Sequence, residues 1–256
     1  MIKEESRFST STVFEGMTSI RAILDCLKES KPNARKILEI LYDKDKEKSK
    51  FKELGYLKKM GELFDFPVRS TTSEEIDSYS IGSSHGGIIA LCGKKSYEEL
   101  TQEKIKENGF YVMIEGIEDP YNFGYALRSI YASGVDGIIL SKRNWLSAAG
   151  VVCRSSAGAS ERLDVFIAND DFIKCFKNKG YKVVCADIKN SVSVYESDLK
   201  KPIFLIVGGE KRGISSSVLS QADKIVRIEY GRDFDAALSA ASASTILAFE
   251  VFKQNK

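Results

Sequence analysis

The clearest pattern in the chain is an alternation of short apolar runs with amphipathic ones over residues 109–256. Runs at 111–114, 137–140, 163–167, 182–186, 203–207 and 224–228 have the length and composition of strands. Between and after them, 123–133, 170–179, 215–221 and 236–253 place apolar residues at helical spacing. That alternation predicts an α/β fold, a mostly parallel sheet flanked by helices. Before residue 93 the pattern is shorter but of the same class. Ile20, Ile23, Leu24 and Leu27 have helical spacing over 19–27, and Ile37-Leu38-Glu39-Ile40-Leu41 suits a strand. Residues 50–63 return to helical spacing, and Ile88-Ile89-Ala90-Leu91 is a strand after the Gly86-Gly87 turn. Residues 93–108 are charged and poor in core-forming side chains. The chain therefore reads as a small α/β domain over 1–92, a linker over 93–108 and a larger α/β domain over 109–256. The last helix is distinctive: Ala236 to Ser244 is nearly all small residues, which permits close backbone approach to a ligand or to another helix.

At 256 residues and 43% hydrophobic content the chain fits a globular protein with one large or two ordinary domains. No apolar run approaches the roughly 18 residues of a membrane span. The charged start, Met1-Ile2-Lys3-Glu4-Glu5-Ser6, has no signal core, so a cytoplasmic protein is expected. Five widely spaced cysteines and the single His85 offer no clip for a structural metal, and reduced thiols without a metal site are expected. A net charge of +2 does not announce nucleic acid. A polyanion site would have to be a local concentration of Lys and Arg.

Three short segments carry the candidate chemistry. In the first, Asn122, Gly124 and Arg128 form N-x-G-x-x-x-R where the 111–114 run gives way to a helix. The plain reading is a helix cap, a packing glycine and a solvated arginine. The ligand reading has the helix start and Arg128 gripping a phosphate or ribose. In the second, Gly208-Gly209-Glu210-Lys211-Arg212-Gly213 follows Ile203-Phe204-Leu205-Ile206-Val207. It is either a glycine-permitted turn or a place where the Gly208 backbone approaches a ligand and Glu210 accepts hydrogen bonds. It matches neither the dinucleotide nor the P-loop fingerprint. The third is Ile228 with Leu238-Ser239 at the head of the small-residue helix, which read alone is core packing.

Taken together, in this order and at these separations, the three segments resemble the three motifs of the SPOUT (α/β-knot) RNA methyltransferases, in the TrmH/SpoU branch of ribose 2′-O-methyltransferases. The resemblance extends to Arg154-Ser155-Ser156-Ala157-Gly158-Ala159-Ser160-Glu161, similar to the segment after motif one. It also extends to His85-Gly86-Gly87-Ile88-Ile89-Ala90, which looks like the end of the family's N-terminal substrate-binding domain.

The resemblance implies a C-terminal α/β-knot domain, trefoil-knotted with a mostly parallel sheet, and an N-terminal α/β domain of L30e/L7Ae type. It implies S-adenosylmethionine as cofactor, held at Gly208, Gly209, Ile228 and Leu238, and a homodimer through the first and last helices of the knot domain. Arg128 becomes the central catalytic residue, with Asn122 and Glu210 orienting it or the ribose. The family's motif-one arginine, here Arg128, is the proposed aid to deprotonation of the hydroxyl; because a guanidinium rarely gives up its proton, clamping the phosphate and stabilising the developing alkoxide is the alternative role. Motif three departs from the family's Ser-Leu-Asn. It reads Ala237-Leu238-Ser239, so Ser239 keeps a hydroxyl but loses an amide, and one extra residue sits in the 229–235 loop. RNA contact is assigned to Arg143, Arg154, Arg212 and Arg232, in loops near the motifs. The substrate expected is large-subunit ribosomal RNA, with transfer RNA as the alternative. A non-catalytic RNA-binding or assembly protein on the same fold is a further alternative, supported by the missing motif-three asparagine.

Overall fold

A computed structural model of the chain describes residues 13–82, 85–141, 148–209 and 213–256. In chain order the elements are β1 (Val13–Glu15), α1 (Gly16–Lys28), β2 (Ile37–Asp43), α2 (Phe51–Phe64), β3 (Val68–Thr71), α3 (Ser73–Tyr79) and β4 (Ile88–Cys92). There follow β5 (Glu98–Glu99), β6 (Phe110–Glu115), α4 (Pro120–Ala132), β7 (Gly137–Leu140), α5 (Ala149–Ser155), α6 (Ala159–Arg162) and β8 (Val165–Ile167). The last are α7 (Phe172–Asn178), β9 (Lys182–Ala186), β10 (Val192–Ser193), β11 (Ile203–Gly208), α8 (Ser216–Leu219), β12 (Lys224–Arg227) and α9 (Ala240–Gln254). They divide into two compact units, one within Met1–Ser96 and Asn144–Arg162, the other within Tyr97–Arg143 and Leu163–Lys256.

The first unit has a four-stranded sheet in the order β1-β4-β2-β3, parallel between β2 and β3 and antiparallel elsewhere. Its core gathers Phe14, Ile20, Ile23, Leu24, Ile40 and Leu57, joined by Ala149 and Cys153 of α5. The segment carrying α5 and α6 thus packs with elements more than fifty residues earlier in sequence. Gly158 is at φ 85, and a Cβ there would lie 2.4 Å from the Ala22 Cβ, so this turn sits tightly on α1. A buried charge cluster adds to the junction. Glu161 accepts hydrogen bonds from Arg35 Nε at 3.3 Å and Nη2 at 3.2 Å, and Lys95 Nζ lies 3.6 Å from its Oε2. All three side chains are at least nine-tenths buried, so each charge depends on the others for its stability there. Periodicity did not reveal α5 and α6, because residues 155–160 are small or hydroxylated and carry no apolar stripe.

The second unit holds an eight-stranded sheet in the order β10-β12-β9-β11-β6-β7-β8-β5, and every strand pair in it is parallel. Its central strands are apolar almost throughout: Phe110 to Ile114 and Ile203 to Val207 are all buried. That is expected of strands covered on both faces. One layer of the core is aromatic, with Phe176 stacked on Phe204 at 4.0 Å and Tyr111 edge-on to Tyr181 at 5.8 Å. The Tyr181 hydroxyl accepts from Gly109 N–H and donates to the Lys106 carbonyl. Burial raises its pKa, so the proton that makes the second bond stays in place.

The α/β expectation holds, with a large parallel sheet, and the boundaries differ for local reasons. α9 starts at Ala240 and not at Ala236, because the Ser239 hydroxyl accepts from Ser242 N–H at 3.1 Å and caps the helix there. Within the stretch read as a linker, β5 pairs with β8, and Leu100 and Ile105 enter the core of the second unit. The short elements β1, β3, α3 and β10 were not legible from apolar spacing.

Candidate functional site

Because the second sheet is wholly parallel, its strands all point their C-terminal ends to one edge. β6 and β11 lie side by side, with Val207 opposite Ile114 and Gly208 opposite Glu115. β12 runs two strands away, beyond β9. The first motif leaves β6, the second leaves β11 and the third leaves β12, so all three open on the same edge. That edge is where open α/β sheets hold ligands.

At the edge two loops meet at close quarters, and glycines permit the approach. Gly209 N–H donates to the Glu115 carbonyl at 2.5 Å, and Gly213 N–H donates to the Gly209 carbonyl at 3.1 Å. A Cβ on Gly209 would stand 2.4 Å from the Gly116 carbonyl carbon and oxygen, and one on Gly208 would stand 2.7 Å from Gly213 Cα. Gly116 and Gly213 themselves are at φ 79 and φ 62. The second motif's glycines therefore serve first to let backbone meet backbone. Glu115 fixes the return of the loop, since its Oε2 accepts from Ser215 N–H at 3.1 Å. Gly116 and Glu115 were not singled out from sequence, although a glycine following an apolar run was the signal available.

On the first motif's side, α4 begins with Pro120, and its cap is Asp119, whose carboxylate accepts from Asn122 N–H at 2.7 Å. The plain reading of Asn122 as the cap is thus corrected: it sits inside the first turn, half-buried. Arg128 lies on the solvent face of α4 with the exposed Tyr121 and Tyr125, and it has no ion-pair partner among the described residues. α4 packs against α9, so the helix of Asn122 and Arg128 lies on the helix headed by Ser239. The Ser239 hydroxyl is committed to capping α9 and also donates to Ser242 Oγ.

Ile228 follows β12 and is half-buried. From Glu229 to Ala237 no main-chain N–H or C=O is engaged by another described residue, and Leu238 N–H is bonded to the Tyr230 hydroxyl. This loop therefore presents backbone donors and acceptors that no described residue takes up. On β9, opposite Ile225 of β12, burial pushes the Cys185 thiol up to about 12, helped by the nearby Glu115 carboxylate, so it is no nucleophile near neutral pH. Arg232 is exposed in the same loop. Arg154, in contrast, belongs to the first unit, where its guanidinium is paired with Glu15. Glu210, Arg143 and Arg212 lie outside the described residues. Among the described residues there is no cluster of potential metal ligands, and no helix is long and apolar enough to cross a membrane.

The model of the SpoU rRNA methylase family matches residues 109–249, the stretch that contains β6, β11, β12 and all three motifs. The chain belongs to this family. It is thereby a member of the TrmH/SpoU RNA methyltransferases. It is 30% identical over 194 residues to a putative TrmH family tRNA/rRNA methyltransferase of Staphylococcus saprophyticus, covering 73% of this chain and 77% of that one. Among solved structures it resembles the SpoU methyltransferase AviRb of Streptomyces viridochromogenes in complex with AdoMet, with a TM-score of 0.77 and 20% identity over 94% of this chain and 89% of that one. An RNA 2′-O ribose methyltransferase matches with a TM-score of 0.74 and 20% identity, over 94% of this chain and 88% of that one.

Proposed function

We propose that this family member is an S-adenosylmethionine-dependent methyltransferase acting on a ribose 2′-hydroxyl of large-subunit ribosomal RNA, as a cytoplasmic homodimer. The observation that carries the reading is the common edge of the parallel sheet from which all three motif segments emerge. The cofactor complex of AviRb and the 2′-O activity named for another relative of this fold support it. In this reading the C-terminal stretch from β11 to α9 is tied as a trefoil knot, the N-terminal unit is an L30e-like RNA-binding domain, and α4 and α9 pack across a two-fold axis.

S-adenosylmethionine, when bound, supplies the activated methyl group. Gly208, Gly209, Ile228 and Leu238 would hold it, and the uncommitted backbone from Glu229 to Ala237 fits that task. The remaining work is alignment of the 2′-oxygen and stabilisation of the charge it develops. Arg128, exposed and without an ion-pair partner among the described residues, is free to clamp the substrate phosphate and to stabilise the forming alkoxide. Asn122 and Glu210 orient it. A guanidinium keeps its proton near neutrality, so the proton of the hydroxyl leaves to water or to the RNA.

The test is incubation of the purified protein with methyl-labelled S-adenosylmethionine and ribosomal or transfer RNA, followed by mapping of alkali-resistant linkages. Label at a ribose of ribosomal RNA is expected. Arg128→Ala should lose nearly all transfer while the heat of cofactor binding stays the same. Transfer retained in that variant would refute the role of Arg128. The alternative, a protein that binds RNA without methylating it, draws on Ser239, whose hydroxyl already serves the helix cap. Absence of cofactor heat at millimolar concentration would favour it.

A further inference from the structure

Between β12 and α9 the chain passes through Glu229-Tyr230-Gly231-Arg232-Asp233-Phe234-Asp235. The Tyr230 and Phe234 rings lie with centroids 6.1 Å apart and planes tilted by 57°, yet the residues are 38% and 60% exposed. The pair is anchored, because the Tyr230 hydroxyl accepts from Leu238 N–H at 3.2 Å, at the entry to α9. The rest of the loop is glycine or charged and offers neither ring an apolar cover. Glu229 is taken up by Arg227 at 3.2 Å, leaving Arg232, Asp233 and Asp235 exposed with a net negative charge. A loop of that charge is poorly suited to grip a phosphate backbone. What it offers is two ring faces, with carboxylates beside them that can accept from the amino groups of a base.

We propose that Tyr230 and Phe234 form a stacking platform for one unpaired base of the RNA substrate, beside the sheet edge where methyl transfer takes place. This rests on the RNA methyltransferase reading above and adds the element that positions the strand. Unstacked bases in single-stranded RNA are held by aromatic faces in this way, and stacking tolerates any base because every base has a π face. A base lying parallel to Phe234 meets Tyr230 at an angle, so the two rings contact its face and its edge.

The experiment uses the full chain and a short single-stranded oligoribonucleotide carrying 2-aminopurine, whose fluorescence is quenched on stacking. Quenching is expected with the native protein. Phe234→Ala should weaken binding by roughly five- to hundredfold, the range seen when a stacking ring is removed. The salt dependence should stay unchanged, since no phosphate contact is lost. Tyr230→Phe keeps the ring and should retain quenching. The same oligonucleotide lacking that base should bind the native protein and Phe234→Ala alike. Unchanged affinity in Phe234→Ala overturns the proposal. So does a loss of S-adenosylmethionine heat in that variant, which assigns the rings to the cofactor, or a change of oligomeric state, which assigns them to a second copy. Binding is read without turnover, so failure of methyl transfer alone leaves the platform standing and failure of quenching alone leaves the enzyme standing.

Discussion

A methyl group on Gly209 tests the backbone crossing directly. In Gly209→Ala the new Cβ would lie 2.4 Å from the carbonyl carbon and oxygen of Gly116 and 2.7 Å from Ile117 N. Ordinary contact at such atoms is about 3.4 Å or more, so two chain segments must separate by roughly 1 Å, which a packed core resists. Overpacking of that kind costs about 1–3 kcal/mol. The shift also stretches the bond from Gly209 N–H to the Glu115 carbonyl, worth about 1 kcal/mol more. A total of about 2–4 kcal/mol should lower Tm by ~5–15 °C, followed by circular dichroism, and should weaken cofactor binding by calorimetry. The matched control is Gly231→Ala. A Cβ there meets nothing within 4 Å and its φ is unstrained, so it should melt with the native protein. Equal melting of the two variants would show that the crossing has room to give and that the close approach at Gly209 carries no cost.

Other positions give independent checks. Glu161→Ala takes the carboxylate from the buried Arg35 and Lys95 and should cost about 3–5 kcal/mol in urea unfolding; native-like stability would mean the cluster contributes nothing. Burial alone would raise the Asp136 carboxyl, but the Lys106 ammonium at 2.7 Å and the Phe110 N–H at 2.8 Å outweigh it and hold the pKa below the usual carboxylate value. The stability this contributes is full above the unfolded value of about 3.8 and is lost as pH falls through the lower folded one. Asp136→Asn should therefore be less stable at neutral pH and should flatten the acid limb of the stability curve; an unchanged acid limb would refute it.

The parallel sheet was legible because its central strands are apolar on both faces, as at 111–114 and 203–207. The second motif was legible because a glycine stands directly after such a run, and the first because an amide, a glycine and an arginine gather where a run gives way to a helix. What could not be read was packing between distant segments. Residues 155–160 have no apolar stripe, so nothing local says that Gly158 rests on Ala22 or that Glu161 meets Arg35. The role of Gly208 and Gly209 was half legible: close approach to a ligand was expected, and the structure adds a close approach to the protein's own backbone at Gly116 and Gly213. Ser239 read as a catalytic position that has lost an amide; the structure adds a second task for its hydroxyl, starting a helix. The Tyr230–Phe234 pair passed unnoticed because two aromatics four residues apart in a loop form no periodic pattern.

The Glu161 cluster also bears on how the chain comes to be folded during synthesis. The amino-terminal sheet and its helices leave the ribosome first, yet Ala149, Cys153 and Glu161, which complete their interior, arrive only after β6, α4 and β7 have been made. Until then Arg35 waits in a half-built interior without its counter-charge. Early domains usually finish before later ones begin; in this molecule the first to start has to be closed by a stretch borrowed from the middle of the second.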